Sequence, residues 1–433
     1  MSAARYTVGP ARSVHGELRV PGDKSISHRS LMLGAIAQGE TSVNGFLASE
    51  DCLATLAALG ALGVKVERPG ETRVRVHGVG RDGLSGADSA LDMGNAGTAI
   101  RLLTGLLAGQ RFDSTLVGDA SLMRRPMERV AAPLRSMGAR IDTDGGRPPV
   151  RVHGGATLAA IDYVLPMASA QVKSALLLAA LYAHGTTSVT EPAPTRDHTE
   201  RMLRGFGVRV GCEGARVSLA GGQRLTGCDI EVPGDFSSAA FFIVAGCLAA
   251  HQGLTICNVG VNPTRTGLLQ LLRLMGADVA VHAHRTGAPE PVADIHVRAG
   301  ALRGITVPQD LVALAIDEFP VFFIAAAAAS GQTLVSGAAE LRVKESDRLA
   351  VMAAGLTTLG IECELAADGL AIQGGAMHGG RIDSHGDHRI AMAFAIASLV
   401  ASEPIEIDDV ANVATSFPGF PALARSAGLA LEG

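Results

Sequence analysis

Lys24-Ser25-Ile26-Ser27-His28-Arg29 sets an ammonium, a hydroxyl and a guanidinium within six residues. Ser25 and Arg29 are four apart, so on a helix they share a face, with Lys24 at its opening. That set suits a phosphate or a carboxylate, although a solvated helix start reads the same way. The glycine spacing of a nucleotide-binding phosphate loop is missing. Asp119 and Arg124-Arg125-Pro126-Met127 form a second cluster, in which Pro126 fits the first turn of a helix and Arg125 its mouth. Arg196 in Pro194-Thr195-Arg196 and Arg265 in Pro263-Thr264-Arg265 fall at matching places. The helix dipole opposes a guanidinium there, which favours an anion between them; a surface salt bridge fits each one equally. Lys344-Glu345-Ser346-Asp347-Arg348 puts Lys344 and Arg348 on one helical face, with Glu345 beside them. Asp317-Glu318 precedes the apolar run 319–329, as an N-cap or as a general base. Asp387-His388-Arg389 precedes another apolar run, and His385 and His388 have no metal-pair spacing.

The elements that must position these residues repeat. An apolar residue, a glycine and a step into a strand recur at Gly63, Gly138, Gly207, Gly276, Gly360 and Gly428, at intervals of 68 to 84 residues. Glycine ends a helix there, where a left-handed conformation is needed. Each unit reads as β-α-β-α-β-β: in the first, helix 25–38, strand 41–46 and helix 51–62; in the third, 169–184, 186–190 and 195–206. Helices in such a plan cover one face of mixed sheets. The steps opening the units carry small or capping residues: Gly22-Asp23, Gly94-Asn95-Ala96-Gly97-Thr98, Ala168-Ser169-Ala170-Gln171, Gly234-Asp235, Asp317-Glu318 and Gly386-Asp387. Free N–H groups and the positive dipole end suit anions there.

Composition bounds the rest. At 433 residues, 47% apolar and 18% charged, the chain reads as a two-domain globular protein. Trp is absent and aromatics are 3%, so Ala, Leu, Val, Ile and Met are expected to build the core. A net charge of -5 with no basic run argues against nucleic acid as a partner. The six cysteines form no CxxC pair and no zinc spacing, and are expected reduced and mostly buried in a cytoplasmic protein. Residues 1–16 lack a signal peptide's apolar stretch, and the runs 239–250 and 321–329 are too short to span a membrane.

Taken in order from about residue 7 to 430, these motifs resemble the 5-enolpyruvylshikimate-3-phosphate (EPSP) synthases, among the enolpyruvyl transferases. They are Gly22 to Arg29, Asn95-Ala96-Gly97-Thr98 with Arg101, Arg125-Pro126-Met127, Ser169-Ala170-Gln171, Thr195 to His198, Lys344 to Arg348, Asp387 to Met392 and Ser416-Phe417-Pro418. Residues 169–174 and 194–200 are most similar to the second bacterial class. The resemblance implies an α/β fold of two domains, each of three β-α-β-α-β-β units, the inside-out α/β barrel. One domain would be 22–233, the other 1–21 with 234–433, closing on ligands in a cleft. The implied reaction joins phosphoenolpyruvate to the 5-hydroxyl of shikimate-3-phosphate through a tetrahedral ketal, then eliminates phosphate. By motif, Ser25, Arg29, Ser169, Gln171 and Arg196 would hold shikimate-3-phosphate, with the Ala170 backbone and Lys344. Lys24, Gly97, Arg125, Arg348 and Arg389 would hold phosphoenolpyruvate, with Asn95 and Gln171 nearby. Asp317 would take the proton of the attacking hydroxyl, and Glu345 and Lys24 would move protons at the methylene. No metal or other cofactor is implied; a cytoplasmic monomer, independent of membranes and targeted by glyphosate, is expected.

One departure is Thr415, where many members of the family carry a lysine. The related transferase acting on UDP-N-acetylglucosamine has Lys-Asn in place of Lys24-Ser25 and a cysteine-bearing loop that none of the six cysteines matches. A non-catalytic anion-binding module is the other reading, and Lys24, Asp317 and Glu345 argue against it.

Overall fold

The computed structural model describes residues 4–284 and 289–433, so the first three residues of the N-terminal segment lie outside it. The chain forms two compact units, Gly22–Val232 and Met1–Pro21 with Pro233–Gly433.

All six marker glycines have positive φ, between 85° and 111°, which a side chain would strain. In Gly22–Val232 they close the helices Glu50–Ala61, Glu128–Ser136 and His198–Gly205. Helix ends differ from the sequence reading by a few residues: the first helix is Lys24–Ile36 and the third unit's first helix is Ala170–Ala180.

Each of the six repeats builds one sheet. In the second, Ser114–Val117 runs antiparallel to Arg147–His153, which pairs with Arg140–Asp144. The edge strand Leu91–Asp92, which precedes this repeat's helix, joins parallel to Ser114–Val117. In the first sheet that parallel place is taken by Leu225–Thr226 and Asp229–Glu231, the end of the third repeat, so the three repeats close on themselves. In the other unit the sixth sheet is completed by Arg5–Gly9, antiparallel between Ile405–Asp408 and Ala430–Glu432. Gly16–Leu18 then pairs parallel with Leu254–Gly260 of the fourth.

The helices that open the repeats are not one-faced covers. Lys24–Ile36, Gly97–Leu107 and Ala170–Ala180 are buried nearly all round, as suits helices at the centre of a unit rather than on its outside. Gly105 lets two of them touch, since a Cβ there would lie 2.2 Å from the Ala175 carbonyl oxygen. The aliphatic core expected from composition holds for Gly22–Val232 but not for its partner unit. There Phe236, Phe241, Phe242, Phe319, Phe322, Phe323, Phe394, Phe417 and Phe420 share one core, with edge-to-face pairs such as Phe241–Phe420. A low total hid this concentration. The cysteines are less buried than expected: Cys52 and Cys247 are, Cys228, Cys257 and Cys363 are half-buried, and Cys212 is exposed. Among the described residues no helix is long and apolar enough to cross a membrane.

Candidate functional site

In Gly22–Val232 the basic residues gather at the opening ends of its three central helices. Lys24 is the first residue of its helix, after the N-cap Asp23, which accepts from the Ile26 amide. Its Nζ is 3.0 Å from Asp51 Oδ2. Arg29 is buried and donates to Thr199 Oγ1 (2.7 Å), Ser174 Oγ (2.8 Å) and the Ser25 carbonyl (2.9 Å). His28 packs against Thr55 Oγ1 at 2.8 Å. Burial, then Lys24 and Arg29, push its imidazole down to about 3, so it stays neutral.

Gly97 opens the second helix after Ala96, which offers no side-chain cap. Amides left free in this way can meet an anion. Arg125 reaches Asn95 Oδ1, and Asn95 donates to Asp119 Oδ2 at 2.7 Å. Pro126 lies before the N-cap Met127 of helix Glu128–Ser136, not in its first turn. Arg125 instead ends the short 3-10 turn Leu122–Arg124, because the Arg125 amide bonds back to Leu122. Ser169 caps the third helix, Ala170 begins it and Gln171 follows. Arg101 binds the two helices together, donating to Gln171 Oε1 (2.7 Å) while Gln171 donates to Thr98 Oγ1 (3.1 Å). By sequence Arg101 stands out only through its place after the Asn95-Ala96-Gly97-Thr98 motif. The signal that could have promoted it was a single cation inside an apolar helix. Arg196 lies half-buried in the loop before helix His198–Gly205.

The other unit holds Asp317, Lys344, Glu345, Arg348 and Arg389. Asp317 Oδ1 is 3.5 Å from Lys344 Nζ and 3.6 Å from Arg348 Nη1. Its backbone carbonyl accepts from Arg389 Nη1 at 3.0 Å. Lys344 and Arg348 are not on one helix: Lys344 ends the 3-10 turn Ala339–Val343, and Arg348 begins helix Arg348–Thr358. Their cations meet at Asp317 nonetheless. Arg348 also donates to Asp387 (Nε to Oδ2, 2.8 Å) and Glu345 (2.6 Å). Burial works against both charges of the Arg348–Asp387 pair. Arg348 still holds the Asp387 carboxyl below the usual aspartate range, while Asp387, Glu345 and Asp317 raise the guanidinium. The N-cap position before helix Phe319–Ala328 is Glu318, without a side-chain cap bond. Glu318 pairs instead with Ser237. Arg265, expected at a helix mouth facing an anion, is buried and bound internally to Ser237 Oγ (2.7 Å), with Asp235 at 3.7 Å. Thr415 is buried, its hydroxyl donating to the Asn412 carbonyl at 2.7 Å.

Among the described residues no group of three or more His, Cys, Asp or Glu could hold a metal ion. The arrangement supplies cations for phosphates and carboxylates in one unit, and a carboxylate flanked by two cations in the other.

The family model for EPSP synthase (3-phosphoshikimate 1-carboxyvinyltransferase) matches residues 8–423. The chain is 59% identical over 428 residues to a 3-phosphoshikimate 1-carboxyvinyltransferase of Methylococcus capsulatus, covering 99% of this chain and 98% of that one. It is 60% identical to one from Alkalilimnicola ehrlichii, covering 98% and 96%. A solved EPSP synthase structure from Acinetobacter baumannii superposes with a TM-score of 0.89 at 55% identity, over 99% of both chains. With a family-model match over residues 8–423 and relatives about 60% identical over nearly the whole chain, the chain belongs to the EPSP synthase family.

Proposed function

We propose that this chain transfers the enolpyruvyl group of phosphoenolpyruvate to the 5-hydroxyl of shikimate-3-phosphate, with Asp317 as the general base. The observation that carries the reading is the setting of Asp317: Lys344 and Arg348 stand within 3.6 Å of one oxygen, so a candidate base lies beside cations that can hold an anionic substrate. Asp317 takes the hydroxyl proton as the oxygen bonds to the central carbon of phosphoenolpyruvate and the methylene gains a proton. The resulting ketal then loses a methyl proton as the carbon–phosphate ester bond breaks, restoring the enol double bond and releasing phosphate. Lys24 and Glu345 handle the protons at that carbon.

Ser25, Arg29, Ser169, Ala170, Gln171, Arg196 and Lys344 hold shikimate-3-phosphate, and Asn95, Gly97, Arg125, Gln171, Arg348 and Arg389 join Lys24 around phosphoenolpyruvate. Arg348 already serves Asp387 and Glu345, so on this reading it acts as a fixed positive centre more than as a free hand. Thr415 cannot supply the cation of the family's lysine, so that contact falls to another cation of the site. None of these steps calls for a metal or a redox group. A cytoplasmic monomer belongs to the same reading, and sedimentation equilibrium checks the oligomeric part. The deciding experiment is phosphate release with both substrates: wild type should release phosphate only when both are present, and no release would end the proposal.

A further inference from the structure

Lys173 is the fourth residue of helix Ala170–Ala180, two past Gln171, and takes no part in the chemistry above. Its side chain is 1% exposed, with Nζ 2.7 Å from Glu191 Oε2 and 2.7 Å from Glu200 Oε1; those side chains are 7% and 1% exposed. Burial opposes its charge, but Glu200 and Glu191 outweigh that and hold the ammonium above the ordinary lysine range. Packing alone gives no reason for such a group, because well-packed apolar residues usually serve stability as well as a buried ion pair. What the ions add is a fixed geometry.

The geometry concerns one loop. Glu191 directly follows strand Thr186–Thr190, and Glu200 lies in the first turn of helix His198–Gly205. The residues between them carry Arg196. One ammonium therefore holds both ends of the Arg196 loop and ties them to the helix that Ser169 and Ala170 open. Within the loop the Thr195 hydroxyl donates to Glu191 Oε1, attaching the residue beside Arg196 to the same carboxylate. The neighbours of the clasp, Ser174 and Thr199, bond to each other at 2.7 Å and both accept from Arg29.

We infer that Lys173, Glu191 and Glu200 form a positioning clasp that fixes the Arg196 loop, and through it the affinity for shikimate-3-phosphate. This rests on the reading that Arg196 holds that substrate. Calorimetric dissociation constants for shikimate-3-phosphate test it with Lys173→Met, Lys173→Arg, Thr195→Val, Arg196→Gln and the Thr195→Val/Arg196→Gln double variant. Thr195→Val keeps the buried ions and most of the shape, and should weaken binding ~3–10-fold, the worth of one hydrogen bond, with the melting temperature near wild type. Lys173→Met should weaken it by more, and Lys173→Arg should recover part of the loss. In the Arg196→Gln background, Thr195→Val should add nothing, because the clasp acts through Arg196. Wild-type affinity in Thr195→Val beside a weakened Arg196→Gln would overturn the clasp alone. Full additivity in the double variant would also overturn it. Wild-type affinity in Arg196→Gln would overturn the assignment of Arg196 and the clasp with it.

Discussion

Arg348 and Asp387, 1% and 0% exposed, form an ion pair from Nε to Oδ2 at 2.8 Å that joins the starts of helices Arg348–Thr358 and His388–Ala397. Asp387 is also the N-cap, accepting from the Arg389 amide. Asp387→Asn should cost about 1.5–3 kcal/mol, because it takes a charge-assisted bond from a buried guanidinium that keeps Glu345 and Asp317 as partners. The folded-state value for Asp387 is lowered, so its stabilisation is full above aspartate's ordinary 3.8 and is lost as the pH falls below that. Urea midpoints taken across acid pH should fall more steeply for wild type than for Asp387→Asn. Equal slopes would place the acid sensitivity elsewhere.

Asp317→Asn should lower turnover by at least ~100-fold while substrates still bind, since a general base contributes that much or more. The amide keeps the size of the side chain between Lys344 and Arg348. Steady-state turnover and calorimetric binding read the two parts separately, and near-normal turnover would remove Asp317 from the role of base.

Gly97→Ala should raise the inhibition constant for glyphosate much more than the Michaelis constant for phosphoenolpyruvate. An added Cβ would meet Arg125 Nη1 at 2.7 Å and Arg101 Nη1 at 3.1 Å. Both are the far ends of long side chains, so the variant should fold with its guanidinium groups displaced. Wild type, with glycine there, should be sensitive. Leu102, buried beside Arg101 in the same helix, is the alternative determinant. A wild type that resists millimolar glyphosate would move the determinant to buried Leu102 or beyond.

Shikimate-3-phosphate at 100 times its dissociation constant should stabilise the native protein by about 2.7 kcal/mol, because it binds folded chains only. Chemical denaturation with and without the ligand measures this, and an unmoved midpoint would count against binding at the Arg29 and Arg196 group.

The repeat was legible because punctuation is local: a glycine with positive φ marks a helix end whatever packs around it, as at Gly63 and Gly428. The cations of the site were legible by type and place, and Lys24 opens its helix as its sequence suggests. What each cation bonds to was not. Arg265 and Arg196 follow the same Pro-Thr pattern, yet Arg265 is bound internally by Ser237, 28 positions away on helix Phe236–Ala249. Nothing in the run Ala170-Gln171-Val172-Lys173-Ser174 marks Lys173, since its partners Glu191 and Glu200 lie beyond the period of its helix. The helix assigned through Lys344 and Arg348 failed for a related reason: a charge-rich run has no apolar stripe to fix where the helix begins.

The way the sheets close has a consequence in time. Every strand of Gly22–Val232 finds its partners within one continuous stretch, so that unit can finish folding while the remainder is still being synthesised. Arg5–Gly9 leaves the ribosome before that unit, yet among the described residues it pairs with Ile405–Asp408 and Ala430–Glu432. A strand made before Gly22–Val232 is therefore sheltered only after it, and the slow, aggregation-exposed step of folding belongs to the discontinuous unit.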